Sequence, residues 1–359
     1  MEQAWSKKVS VLSFVAMFAV VVIHCNTIGT LPEPSQWNRF FQMAFSRLGT
    51  AWAVPFFFVV SGFWAQRSAG KMNSGGGEQI HIPLLRRKVK GLLVPYLLWA
   101  VIGALIALPL IGFNNMVTHR GLWERTFLAA PTVFGKVDAL FGITRNGPLG
   151  NLALWYVRTL LILFLLFPVW QAVGKISRWG WVLLGGGLVL FCPETSIPWI
   201  SVTWGSVGWF LLGMAVSAFG VERCRLPRMV TVGCAVGWLG VTVACSAAHV
   251  GWWGGWPFIG RLLAPLGILM VFGLYDEWGC AAWALPNVFR KTFWVYCLHG
   301  SICGYFTAGG LFVLGKSDAV SIVLTIVAPA AVTVVCLFAG ILVERWFPRV
   351  YAILTGARG

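Results

Sequence analysis

Ten long apolar runs, separated by short polar or basic stretches, direct this chain into lipid. They lie at about 9–29, 49–66, 91–112, 152–173, 180–192, 204–220, 229–248, 261–276, 291–313 and 320–343. A helix rises 1.5 Å per residue, so roughly 20 mainly apolar residues cross the hydrocarbon core of a bilayer. The fifth run is the weakest. Its core, VLLGGGLVLF, is short and Gly-rich: either Trp179 and Trp181 anchor a short helix, or Pro193 breaks a longer one. The first run has no small-residue cleavage site with a polar exit, so it reads as a retained helix rather than a signal peptide. Only 11% of the residues are charged, where a soluble domain carries about 25%. The expected fold is therefore all-α: one membrane-embedded domain over 1–359, a polytopic bundle of about ten transmembrane helices.

The net charge of +16 would suggest nucleic acid in a soluble protein. Here the basic residues fall between the apolar runs, which is the pattern of the positive-inside rule. Two thirds of them lie on the side that holds both ends of the chain, so both termini are expected in the cytoplasm. Residues 67–90 are expected as a cytoplasmic basic loop, containing KMNSGGGEQ and then RRKVK. Residues 113–151 are expected as an extracytoplasmic loop folded over a cavity. The nine Cys include no C-x-x-C pair and read as packing residues. Acidic residues keep to loops and span ends. That argues against a proton-coupled transporter, which commonly uses intramembrane carboxylates as relays. No His, Cys, Asp and Glu spacing supports a metal site.

Polar groups inside the runs are informative because an unpartnered one in hydrocarbon costs several kcal/mol. His24, in AVVVIHCNTIG, is either a hydrogen-bonded packing histidine or a general base for a hydroxyl. Asn26 stands beside it. Arg158, in LWYVRTLL, either snorkels to the interface or holds an anionic group or developing oxyanion. Arg47 and Arg261 border spans similarly. His299, in FWVYCLHGS, is a second candidate cavity group or a packing histidine. Ser61, in SGFW, lacks the G-x-S-x-G elbow of a serine nucleophile.

Several stretches taken together resemble the acyltransferase 3 family of integral membrane acyltransferases. They are VLSFVAMFAVVVIHC (11–25), VPFFFVVSGFW (54–64), RRKVKGLLVPYLLW (86–99), LWYVRTLLILFLLFP (154–168), GWFLLGM (208–214) and FWVYCLHG (293–300). The resemblance implies a ten-helix enzyme that moves an acetyl or other short acyl group from a thioester, typically acyl-CoA, to a carbohydrate or lipid-linked acceptor. It implies a catalytic His24, basic residues at Arg86 and Arg87, and a W-Y-x-R motif on Trp155, Tyr156 and Arg158. It also implies a multi-pass protein of a bacterial cytoplasmic (inner) membrane. One position departs: many members carry Arg or Lys eleven residues before the histidine, and this chain has Ser13. Lys8, Arg86 or Arg87 would then supply the charge, or the substrates differ, or activity is lost.

The expected mechanism has acyl-CoA, a co-substrate rather than a bound cofactor, docking on Arg86, Arg87, Lys88 and Lys90. The acceptor enters from the other face to meet His24. The expected partners are that donor, a carbohydrate or lipid-linked glycan, and membrane lipid, with no nucleic acid. The rival readings are a transporter or flippase for a lipid-linked sugar or small solute, and an inactive membrane scaffold.

Overall fold

A computed structural model describes residues 2–31, 33–73, 81–118, 130–145, 147–192, 196–197, 201–221, 225–249, 259–278 and 287–356. Its elements are almost all helical. In chain order they are α1 (Glu2–His24), α2 (Gln36–Gln42, prolonged by a π-helical stretch over Met43–Leu48), α3 (Ala53–Asn73), α4 (His81–Thr118), α5 (Val133–Phe141), α6 (Trp155–Leu165) and α7 (Phe167–Ile176). They continue with α8 (Arg178–Phe191), α9 (Trp204–Phe219), α10 (Arg228–His249), α11 (Leu263–Glu277), α12 (Thr292–Leu314), α13 (Asp318–Trp346) and α14 (Pro348–Thr355). Among the described residues the only strands are β1 (Ser196–Ile197) and β2 (Val202–Thr203), a two-residue antiparallel pair ahead of α9.

Each of the ten apolar runs falls largely on a helix. Six helical stretches are long and apolar enough to cross a membrane: 3–30, 36–70, 88–107, 228–249, 287–314 and 318–346. A seventh is the α6–α7 pair. The run at 152–173, expected as one helix, bends there by 55°. Pro168 sits in the first turn of α7, where it has no N–H to give and its ring crowds the carbonyl four residues back. The fifth run becomes α8, which ends at Phe191 after 14 residues, or about 21 Å of helix. Trp181 secures it, donating from Nε1 to the Trp170 carbonyl at 2.7 Å.

Helices cover much of the two segments expected as loops. Helix α3 runs on to Asn73 and α4 starts at His81, so most of 67–90 is helical and its remaining linker lies outside the described residues. Lys and Arg are good helix formers with apolar stems, so RRKVK continues as part of α4. Likewise α4 continues to Thr118, and α5 occupies part of 113–151.

Close helix packing follows the glycines. An added Cβ at Gly62 of α3 would collide with the Phe210 carbonyl of α9, and one at Gly213 of α9 with the Val59 carbonyl of α3. With no such atoms the two backbones touch. Helix α1 packs against α3, α12 and α13.

Candidate active site

His24 occupies the last turn of α1. The helix ends there, and Asn26 Nδ2 caps the Ile23 carbonyl at 2.8 Å. The half-buried His24 ring faces α12, with its centroid 5.2 Å from that of His299 and a tilt of 59°. His299 is fully buried. Its Nδ1 lies 2.6 Å from the Tyr296 carbonyl and 3.2 Å from the Val295 carbonyl. Carbonyls only accept, so Nδ1 carries the proton and Nε2 holds the lone pair. That Nε2 is buried with no partner among the described residues, a condition that costs about 1–3 kcal/mol until a donor meets it.

One turn earlier on α12, the Tyr296 ring lies 5.8 Å from His299 and 5.7 Å from Tyr156 of α6. Tyr296 donates its hydroxyl to the Ala153 carbonyl. Tyr156 donates to the Phe57 carbonyl at 3.3 Å and sits 3.0 Å from Ser61 Oγ. Ser61 therefore shares a hydrogen bond with a phenol, and among the described contacts it has no imidazole. Trp155, half-buried, packs on Phe58 at 6.2 Å.

Tyr156, Tyr296 and Ser61 form the inner wall of a cavity of about 700 Å³. Ser6, Ser10 and Ser13 of α1 continue the wall toward the end of the bundle where α1 begins. Lys88 and the exposed Arg290 also line it. Ser13 precedes His24 by eleven residues, or about 16 Å along α1.

Two lysines of the basic stretch line different cavities. Lys88 lines this cavity and stands 5.6 Å from the Phe164 ring. Lys90, about 200° around the helix, lines a separate groove with Gly91, Val94 and Ala352. Arg86 is exposed, and the Arg87 side chain lies outside the described residues. Lys8 is committed elsewhere, paired with Asp276 at 2.8 Å and stacked 4.9 Å over Phe272. Arg290, which sequence reasoning passed over, is the second cation on the cavity wall.

Arg158 is buried, and its Nη1 donates to the Gly142 and Arg145 carbonyls. Its Nη2 donates to the Ser201 carbonyl at 3.2 Å. These bonds tie the segment after α5 and the turn before α9 to the start of α6. Three of its N–H groups thus serve backbone, while its buried Nε has no partner among the described residues. Asp138 of α5 holds the same turn. It accepts from Thr144 N at 2.6 Å, Thr144 Oγ1 at 2.9 Å and Arg145 Nε at 3.1 Å. Burial pushes the Asp138 carboxyl up, but these hydrogen bonds and the Arg145 charge outweigh it and hold the pKa below its ordinary value.

Asn151 was also missed. It is buried, donates to the Cys297 carbonyl at 2.6 Å, and keeps an unpartnered Oδ1. The only signal for it was its place just before the W-Y-x-R stretch. Asn26 opens onto a second pocket, of about 580 Å³, beyond the end of α1.

The family model described as an acyltransferase domain matches residues 8–345. No curated protein and no solved structure matches the chain.

Proposed function

The chain belongs to the acyltransferase 3 family of multi-pass membrane acyltransferases, and from that premise we propose that it transfers an acetyl or other short acyl group from acyl-CoA to a hydroxyl of a cell-surface carbohydrate or lipid-linked glycan. The observation that carries this reading is the His24–His299 pair, whose chain neighbours Tyr296 and Asn26 line the 700 Å³ cavity and the 580 Å³ pocket respectively. Acyl transfer between two aqueous sides needs such a meeting point.

The donor's phosphates rest near Lys88 and Arg290, on the cytoplasmic face, with Arg86, Arg87 and Lys90 adding to the positive field around it. The pantetheine arm runs past Ser10 and Ser13 toward Tyr296. Serine at position 13 leaves the cavity wall neutral where many relatives have a cation, and Lys88 and Arg290 supply charge from other helices. The acceptor approaches through the pocket at Asn26. His24 removes the hydroxyl proton as that oxygen attacks the thioester carbonyl. The carbon–sulfur bond breaks, and the thiolate leaves with the proton His24 had taken. Protonated His24 is stabilised by the neighbouring His299 ring, which keeps a lone pair at Nε2 with no partner among the described residues. Tyr156 hydrogen-bonds along the donor path, and Ser61 and Trp155 shape it. Arg158 keeps the acceptor-side loop in place.

In this reading the weaker helices α8, α9 and α11 complete ten crossings, with both termini cytoplasmic in a bacterial inner membrane. Purified protein in nanodiscs is tested with acetyl-CoA and envelope glycan extracts. Acceptor-dependent release of free thiol, lost in His24→Ala, is expected. Thiol release that persists undiminished in His24→Ala rejects the base assignment. Glycan movement across the bilayer without thiol release returns the transporter reading.

A further inference from the structure

The pocket beyond α1 has a chemistry of its own. Its wall includes Asn26, Gln36, Arg39, Met43, Arg47 and His249. Arg39 and Arg47 lie on the single helical stretch formed by α2 and its π-helical continuation. Arg39 spends only Nε, on the Pro34 carbonyl at 3.1 Å. Among the described residues neither arginine has an ion pair, and no carboxylate lines the pocket. Of the nearby acids, Asp318 accepts from Ser35 N and from Asn38 Nδ2 at 2.7 Å, and Glu33, next to Pro34, is exposed and forms no ion pair with either arginine among the described residues. Two guanidinium groups and a histidine thus line one cavity that, among the described residues, has no carboxylate in its wall. Such an arrangement gives the pocket a positive potential that favours an anion.

The helix that carries the arginines is fixed in advance. Asn38 and Gln42 are fully buried and bonded to Thr27 and Ser321, so the guanidinium groups are presented by a rigid support. Asn26 is two residues from His24, which limits their Cα separation to about 7 Å. The wall of the pocket thus includes a residue of the same short segment that carries the imidazole.

We propose that this pocket binds a carboxylate or phosphate of the acceptor, which makes the acceptor an anionic glycan. The proposal rests on the acyl-transfer reading for its choice of acceptor over lipid. Guanidinium groups recognise both oxyanions by paired, charge-assisted hydrogen bonds.

The test is equilibrium binding to the full-length protein in phosphatidylcholine nanodiscs, followed by tryptophan fluorescence. The probes are trigalacturonate for the carboxylate, glucose 1-phosphate for the phosphate and maltotriose as the neutral control. Saturable binding of either anion is expected, weakened by salt and by about tenfold or more in Arg39→Gln/Arg47→Gln. The anion that binds names the acceptor's charge. Both arginines are exposed, so the double variant retains the fold, which its melting temperature verifies. His24→Ala should bind the anion as the wild type does, so loss of acyl transfer leaves this test standing. Equal affinity for maltotriose, no binding of either anion, or unchanged affinity in the double variant overturns the proposal. Displacement of the anion when phosphatidylglycerol is added to the discs assigns the pocket to lipid headgroups and also overturns it.

Discussion

Gln42 Nε2 donates to Ser321 Oγ at 2.8 Å, joining α2 to α13 across 279 residues of sequence. The same amide accepts from Thr27 N at 2.7 Å and Ile28 N at 3.1 Å, which fixes how the chain leaves α1 just after His24. Removing it in Gln42→Ala leaves both N–H groups and the Ser321 hydroxyl short of partners. The expected loss is about 2 kcal/mol or more, read as a lower melting temperature in detergent. An unchanged melting curve would mean that water already serves these groups.

The histidine pair predicts two different losses. His24→Ala should reduce the rate of thiol release by about a hundredfold to ten-thousandfold, the usual contribution of a general base. His299→Asn retains a donor for the Tyr296 carbonyl but deletes the lone pair at Nε2. It should fold normally and lose about a hundredfold through misplacement of its neighbour. Wild-type turnover in His299→Asn would reduce His299 to packing.

Glycine 62 should tolerate no methyl group. Gly62→Ala drives a Cβ into the Phe210 carbonyl, and backbone cannot yield as a side chain can. The expected destabilisation is about 1–3 kcal/mol. Gly70, on the same helix, has nothing within 4 Å of an added Cβ. Gly70→Ala should be neutral or stabilising by up to about 1 kcal/mol. Melting temperatures of the pair measure the contrast directly.

The helices were legible because their signal is local: twenty apolar residues announce themselves whatever surrounds them. The roles of single cations were not. Lys88 and Lys90 look equivalent in RRKVK, yet helical rotation sends them to different cavities. Lys8 looked available as a substitute charge for Ser13, but Asp276, 268 residues later, claims it. His24 and His299 were both singled out, but only the packing of α1 against α12 puts their rings side by side. The bend at Pro168 was readable in principle, since proline breaks the hydrogen-bond ladder. The apolar run through it concealed the break. Asn151 and Arg290 gain meaning only from neighbours distant in sequence.

Asp138 predicts an acid limit to stability. Its folded pKa is held below the ordinary value, so the stabilisation it gives is complete above the unfolded value of about 3.9. It is lost as pH falls through the lower folded value. Melting temperature should therefore drop on acidification below about pH 4. Asp138→Asn should start lower and show a shallower drop over that range. Parallel curves for the two proteins would place the acid sensitivity elsewhere.

Arg158→Lys separates loop holding from direct catalysis. The guanidinium reaches the Gly142, Arg145 and Ser201 carbonyls at once because its donors are spread in a rigid plane. A lysine ammonium is a compact point on a flexible stem and cannot span the three. The carbonyls are left under-bonded, and the loop between α5 and α6 loses its tie to the turn before α9. The expected result is a lower melting temperature, by about 1–3 kcal/mol of stability, with KM for the acceptor rising more than kcat falls. Direct oxyanion stabilisation would give the opposite pattern. There kcat would fall by about a hundredfold to a thousandfold while melting temperature and acceptor KM held, because the lost interaction would form only in the transition state.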